Sequence, residues 1–188
     1  MAEVKNHVLA KGFSGTIGRE LTFRQIGGRT FVSKYQKAPS VPPTEKKLAA
    51  QKKFRIAAAF ARRAVQDPAL KALYQAAVKG AQRAFNIAII DALQAPVVEN
   101  IQTENYKGLI DDLILIRATD NFKVARVVVS ITNHQGILIE HGDAVRDEND
   151  KNEWIYYSKQ QNAEMPGILI TAVATDLPGN STTLSIRL

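Results

Sequence analysis

The sequence predicts an α+β protein in which a β-hairpin and an antiparallel helical hairpin precede a small antiparallel β-sandwich. Three observations point there. Apolar side chains recur at helical spacing between residues 44 and 95, and from about residue 109 the period falls to two. The later runs are short and separated by turn residues, as in a sandwich of short strands. Ahead of both, Gly27-Gly28 lies between two strand-forming runs, and a Pro-rich connector follows. The expected divisions are an extended N-terminal arm with its hairpin (1–43), a helical hairpin (44–95), a linker (96–108) and the sandwich (109–188). At 188 residues the chain is long enough for one large domain or two small ones with a real core.

Residues 1–18 are punctuated by Gly12, Gly15 and Gly18. This spacing is neither a dinucleotide fingerprint nor a phosphate-binding loop, because no strand precedes it and no Gly-Lys-Ser/Thr ends it. It suits backbone that approaches another chain closely. Leu21 to Tyr35 reads as the hairpin, with Phe23 facing Val32 and Arg24 facing Phe31 across a two-residue turn. Neither face is continuously apolar and a lone hairpin is marginal in water, so it is expected to dock. Phe23, Phe31 and Val32 are its candidate partner-binding residues. Residues 36–43, QKAPSVPP, cannot continue a strand and lead into the helices.

The first helix, 44–65, has Thr44 as N-cap and Glu45 at the positive end of its dipole; Lys47 excludes a capping box. Stepping 100° per residue gathers Ala50, Phe54, Ile56, Ala57, Phe60, Ala61, Ala64 and Val65 on one apolar arc. Lys52, Arg55, Arg62 and Arg63 fill the opposite sector with Gln51, a basic stripe and the second candidate contact surface. Asp67 then caps a second helix with Pro68 at its first position, running to about Leu93. The many alanines predict close helix approach, and Gly80 is expected at a tight crossing. Pro96 ends the element, and 97–108 reads as polar and extended.

Strands are expected at 113–116, 124–132, 136–141, 154–157, 168–174 and 183–186. Val127, Val129 and Ile131 are placed on one face opposite Ile168, Ile170 and Ala172 of the other sheet, with Trp154 as the large core anchor. Val173-Ala174-Thr175-Asp176 with Pro178-Gly179-Asn180 resembles the closing strands of bacterial immunoglobulin-like modules. Ala118 to Phe122 with Val127 to Ile131 resembles their opening strands. The front half is similar to small bacterial proteins, many from Bacteroidota, that carry glycine motifs, a hairpin and P-T-E-x5-Q-x2-F. Pro43, Thr44, Glu45, Gln51 and Phe54 occur here in that order, meeting the pattern in part, and Phe85-Asn86-x-Ala88-x-x-Asp91 before Ala95-Pro96 adds to it. The resemblance implies an immunoglobulin-like sandwich behind a helical hairpin and implies no particular activity.

Composition excludes several chemistries. There is no cysteine, hence no disulfide framework and no thiolate metal site. No secretory signal is visible, and no stretch approaches the roughly 20 apolar residues of a membrane span. His7, His134 and His141 are the three histidines, and none lies at metal-ligand spacing from another. Asp143, Asp147, Glu148, Asp150 and Glu153 cluster in one turn without the alternating ligands and glycine of an EF-hand; they read as a solvated hairpin tip, with calcium binding between loops as the alternative. No carboxylate pair has a context for acid–base catalysis. The expectation is therefore a non-enzymatic protein with no cofactor, no metal and no small-molecule substrate.

Charge is divided along the chain. Residues 1–65 hold 14 Lys/Arg and 3 Asp/Glu, a balance of +11, whereas 95–188 hold 8 and 13, a balance of −5. A basic front and an acidic back suit head-to-tail self-association. The expected role is thus a structural subunit of a filament, extracellular appendage or phage-like particle. The competing expectation is nucleic-acid binding through the basic stripe. Against it stand the absence of a known nucleic-acid fold, the lack of interleaved aromatic residues, and the acidic back.

Overall fold

The computed structural model describes residues 1–188 apart from 6, 7, 9, 38–40 and 164. Among the described residues it has three helices and three antiparallel sheets of four strands, an α+β fold. The expectations for His7 and for the middle of the Pro-rich connector lie outside the described residues.

The first sheet comprises β1 (Ala2–Glu3), β2 (Gly15–Ile17), β3 (Leu21–Ile26) and β4 (Arg29–Lys34), in the order β1-β4-β3-β2. The register of the hairpin is the expected one, Phe23 opposite Val32 and Arg24 opposite Phe31. Gly27 and Gly28 both have positive φ, 57° and 75°, which a two-residue turn of matching twist requires and side chains resist. The hairpin does not stand alone, because β1 and β2 flank it on both sides. Phe23 is buried against the edge of Phe13, with ring centroids 5.9 Å apart, while Phe31 and Val32 are half-buried. Thr30 is buried beside them and its hydroxyl accepts from the Gly12 amide and the Gln25 side chain. No described residue of this sheet belongs to either of the two larger apolar cores. Its turn approaches the connection between the second and third helices, where a Cβ built on Gly27 would lie 3.3 Å from that of Ala81.

The helices are α1 (Glu45–Ala64), α2 (Pro68–Ala76) and α3 (Ala84–Leu93). Thr44 caps α1 by accepting from the Lys47 amide, and Asp67 caps α2 by accepting from Ala69 and Leu70. The expected second helix is two helices. Alanines at helical spacing run on through the break, but α2 stops at Ala76 and Gly80 adopts a left-handed φ of 60°. Gly80 marks a turn rather than a tight crossing, since nothing lies within 4 Å of a Cβ placed there. The break lets α3 lie along α1 while α2 turns Tyr74 into the space between helices and sheets. Ala61, Ala64, Tyr74, Ala84 and Ala88 form this small core, joined by Phe60, Phe122 and Leu177.

The expected apolar arc of α1 holds only for its second half. Ala57, Ala61 and Ala64 are buried, but residues 45–56 are exposed all round, with Phe54 53% and Ile56 63% accessible. Length explains this. At 1.5 Å per residue α1 is about 30 Å long and α3 about 15 Å, so α3 can cover only half of it.

The remaining strands form two sheets around one core. β5 (Val97–Gln102), β6 (Leu113–Thr119), β10 (Glu153–Tyr157) and β9 (Val145–Arg146) pair in that order. β12 (Ser181–Arg187), β11 (Leu169–Asp176), β7 (Val124–Thr132) and β8 (Leu138–Asp143) make the other. Ile114, Ile116, Val127, Val129, Ile131, Ile168 and Ile170 are fully buried between them, and Trp154 is the expected anchor. Two expectations change here. The segment read as a linker contains β5, whose Val98 and Ile101 enter the core. Val129 and Ile131 lie beside Ala172 and Ile170 in neighbouring strands of one sheet, not in opposite sheets. Alternation alone shows that strands share an inner face, and pairing order needs the long-range connections.

The alanine seam between α1 and α3 leaves no room for larger side chains. Ala88→Leu inserts three carbons where Ala88 is fully buried and should cost about 1–3 kcal/mol, read as a lower urea midpoint with far-UV circular dichroism retained.

Candidate functional site

The residues expected to contact partners fall into two separate places. Lys52, Arg55, Arg62 and Arg63 are all exposed on α1, and none makes an ion pair with a described residue. Leu48, Phe54 and Ile56 are exposed on the same helix, so its free half is both basic and apolar. Leu93 at the end of α3 flanks it, forming a shallow groove with Lys47, Ala50, Gln51, Lys53 and Phe54. Phe23, Phe31 and Val32 belong to the first sheet and are at least half-buried within it. Leu21, Ile17 and Ile26 are the more exposed apolar residues there.

The acidic turn is largely engaged in ion pairs. Arg117 meets Asp150 at 3.2 Å, Glu153 at 3.3 Å and Glu99 at 3.4 Å, and Arg126 forks onto Asp143. Asp147 accepts from the amide of Asn149. Among the described residues, the cluster of carboxylates close enough to hold an ion lies elsewhere.

That cluster is Asp91, Asp120 and Asp176, with one carboxylate oxygen of each within 4.8 Å of the other two. It sits where α3 meets the turns after β6 and β11. Asp91 is fully buried and its Oδ2 accepts from the Tyr74 hydroxyl at 2.5 Å. Asp120 Oδ2 accepts from the amides of Phe122 and Lys123 at 3.0 and 2.9 Å, fixing its turn. Asp176 is buried; its Oδ1 accepts from the Gly179 and Asn180 amides and its Oδ2 from the Asn180 side chain. The Asn180 amide also reaches the Ala92 and Gln94 carbonyls, and Asn121 reaches that of Ile90. Two turn asparagines thus satisfy backbone acceptors at the end of α3. The ring of Tyr74 stacks on Phe122 with centroids 4.6 Å apart and meets Phe60 edge-on at 6.4 Å.

After these bonds, Oδ1 of Asp91 and Oδ1 of Asp120 remain buried without a donor. Burial pushes the Asp91 carboxyl up to about 7; the Tyr74 hydroxyl opposes this, and the Asp120 and Asp176 charges add to it. Burial also raises Asp176 above the usual carboxylate range and raises Tyr74 above an ordinary tyrosine. No described Lys or Arg pairs with any of the three carboxylates. Asp120 also lines an open pocket with Leu73, Phe122, Lys123, Arg146 and Lys151. Sequence reasoning passed over this site because Asp120 and Asp176 read as turn formers. The available signal was Asp91, a single charge inside the apolar run Ile89-Ile90-Asp91-Ala92-Leu93.

No protein-family model matches the chain. No curated protein matches it either. A crystal structure of an engineered protein from a structural-genomics consortium is 19% identical over 49% of this chain and 19% of its own, with a TM-score of 0.35. The chain thus spans about a fifth of that protein, and a likeness this low carries no argument. Among the described residues, no helix is long and apolar enough to cross a membrane.

The pH response of the junction follows from Asp91. Its carboxyl holds a proton up to about 7 when folded, against 3.8 ordinarily. The stabilisation relative to a charged Asp91 is complete below 3.8 and is lost as pH rises through 7. In chelator-containing buffer, wild-type stability relative to Asp91→Asn should therefore fall between pH 3.8 and about 7 and level off above that, measured by urea unfolding. A difference that stays flat with pH would refute the assignment.

Proposed function

We propose that the protein is a non-enzymatic structural subunit that associates head to tail through its basic N-terminal part. The observation that carries this reading is the free half of α1. Three turns of helix that bury nothing gain no tertiary stabilisation, and short isolated helices are marginal in water. Those turns also present Leu48, Phe54 and Ile56. A second copy of the chain is the occupant that fits, because the −5 balance of residues 95–188 complements the +11 of residues 1–65. The first sheet, whose described residues belong to neither large core, is the other part we assign to this contact. A head-to-tail contact does not close on itself and extends into filaments.

The two-sheet unit is proposed as immunoglobulin-like. Lettered in chain order, its strands pair as A-B-E-D and G-F-C-C′, the arrangement of that fold. Such a unit serves as a rigid spacer, consistent with a place in an appendage or particle.

Wild-type protein should sediment as concentration-dependent oligomers at low salt and shift toward monomer between roughly 0.05 and 1 M salt, as screening shortens to a few ångströms. Phe54→Glu with Ile56→Glu, both at exposed positions, should give a folded monomer, as should removal of residues 1–35. A wild type that is monomeric at every concentration, or variants that assemble like it, would overturn the reading.

The unpaired cations of α1 also define the nucleic-acid alternative. Retention of DNA or RNA at low salt, abolished by Arg55→Glu with Arg62→Glu, would favour it. No retention by the wild type would dismiss it.

A further inference from the structure

We propose that Asp91, Asp120 and Asp176 bind one divalent cation, calcium in preference to magnesium, which ties the helices to the two-sheet unit. The site is drawn from three separate segments: α3, the turn after β6 and the end of β11. Oxygens within 4.8 Å of one another fit around an ion whose oxygen ligands stand 2.3–2.6 Å from it. An all-oxygen donor set selects a hard cation over zinc or copper.

The second observation is independent of the clustering. Asp91 is fully buried, yet its Oδ1 has no donor, and neither has the buried Oδ1 of Asp120. Oxygens of the two carboxylates lie within 4.8 Å of each other. Two acceptors cannot satisfy one another, so a proton or a cation must come between them. A shared proton serves Asp91 and Asp120 but leaves two negative charges with no cationic side chain paired to them among the described residues. A divalent cation brings three carboxylates to a net −1, close to the negative end of α3, where cations are stabilised. Calcium is favoured because magnesium demands near-octahedral geometry and gives up its waters reluctantly, which suits a buried site poorly. Asp120, shared with the open pocket, gives the ion access from solvent. This inference stands apart from the assembly reading, since it concerns a single subunit.

The full chain, stripped with chelator at pH 7.5, is titrated with calcium chloride by calorimetry and by thermal unfolding. One site per chain is expected, with the midpoint rising by roughly 5–10 °C at a hundredfold excess over Kd. Asp120→Asn should remove the response, and Asp147→Asn in the exposed acidic turn should keep it. Should Asp120→Asn fail to fold, terbium emission sensitised by Tyr74 and displaced by calcium provides the readout, and it should drop in Tyr74→Phe. No saturable response up to about 10 mM calcium, beyond the weak range of extracellular modules, would overturn the proposal in favour of the shared proton. So would a response that survives Asp120→Asn, one that is lost in Asp147→Asn, or terbium emission unchanged in Tyr74→Phe.

Discussion

The helical and sheet parts of this protein are held in register by a buried tyrosine and a buried aspartate. Tyr74 has no accessible surface, packs its ring between Phe60 and Phe122, and gives its hydroxyl to Asp91. A hydrogen bond to a neutral carboxyl group contributes about 0.5–1.5 kcal/mol, and leaving a buried polar group without its partner costs about 1–3 kcal/mol. Each helix therefore has a reason for its position. α2 must present Tyr74, α3 must present Asp91, and Gly80 permits the reversal between them. The turns after β6 and β11 complete the contact, because Asn121 and Asn180 bond carbonyls at the end of α3.

Meeting that constraint leaves another part of the chain uncovered. α3 is short because it spans only the distance from the Gly80 turn to the sheets. It consequently masks only the second half of α1, where alanines allow close packing. Along the first half, basic and apolar side chains face outward together. A solvated charge face would not need Phe54 and Ile56, and a core face would not carry Lys52 and Arg55. Their coexistence is what supports the proposed contact surface on this half of α1.

Local chemistry was legible in the sequence. The Gly27-Gly28 turn fixed the hairpin register, Thr44 and Asp67 marked helix starts, and Trp154 declared itself as core. What depended on distance along the chain was not. Periodicity continued through Gly80, so the break showed only as a glycine cost. Strand alternation told which residues of β7 and β11 face inward, but not that these strands are neighbours. β5 escaped notice because Val98 and Ile101 are three residues apart across a bulge, which hides a period of two. The junction carboxylates come from residues 91, 120 and 176, and three aspartates so far apart carry no common pattern. Three of the segments that resembled bacterial proteins nevertheless supplied one each.

The lengths of the outer strands of the first sheet bear on what kind of order an assembly can have. β1 is two residues long and β2 three. A neighbouring chain that added itself along either margin would find only a few free amides and carbonyls, too little to hold register against sliding by one step. Polymerisation by runaway strand pairing is thereby blunted, as in many natural sheets with short borders. A contact made at this sheet would take its geometry from side-chain surfaces, whose shape and charge specify a single angle between neighbouring copies. Stiffness and helical pitch would then be heritable properties, adjustable one surface residue at a time.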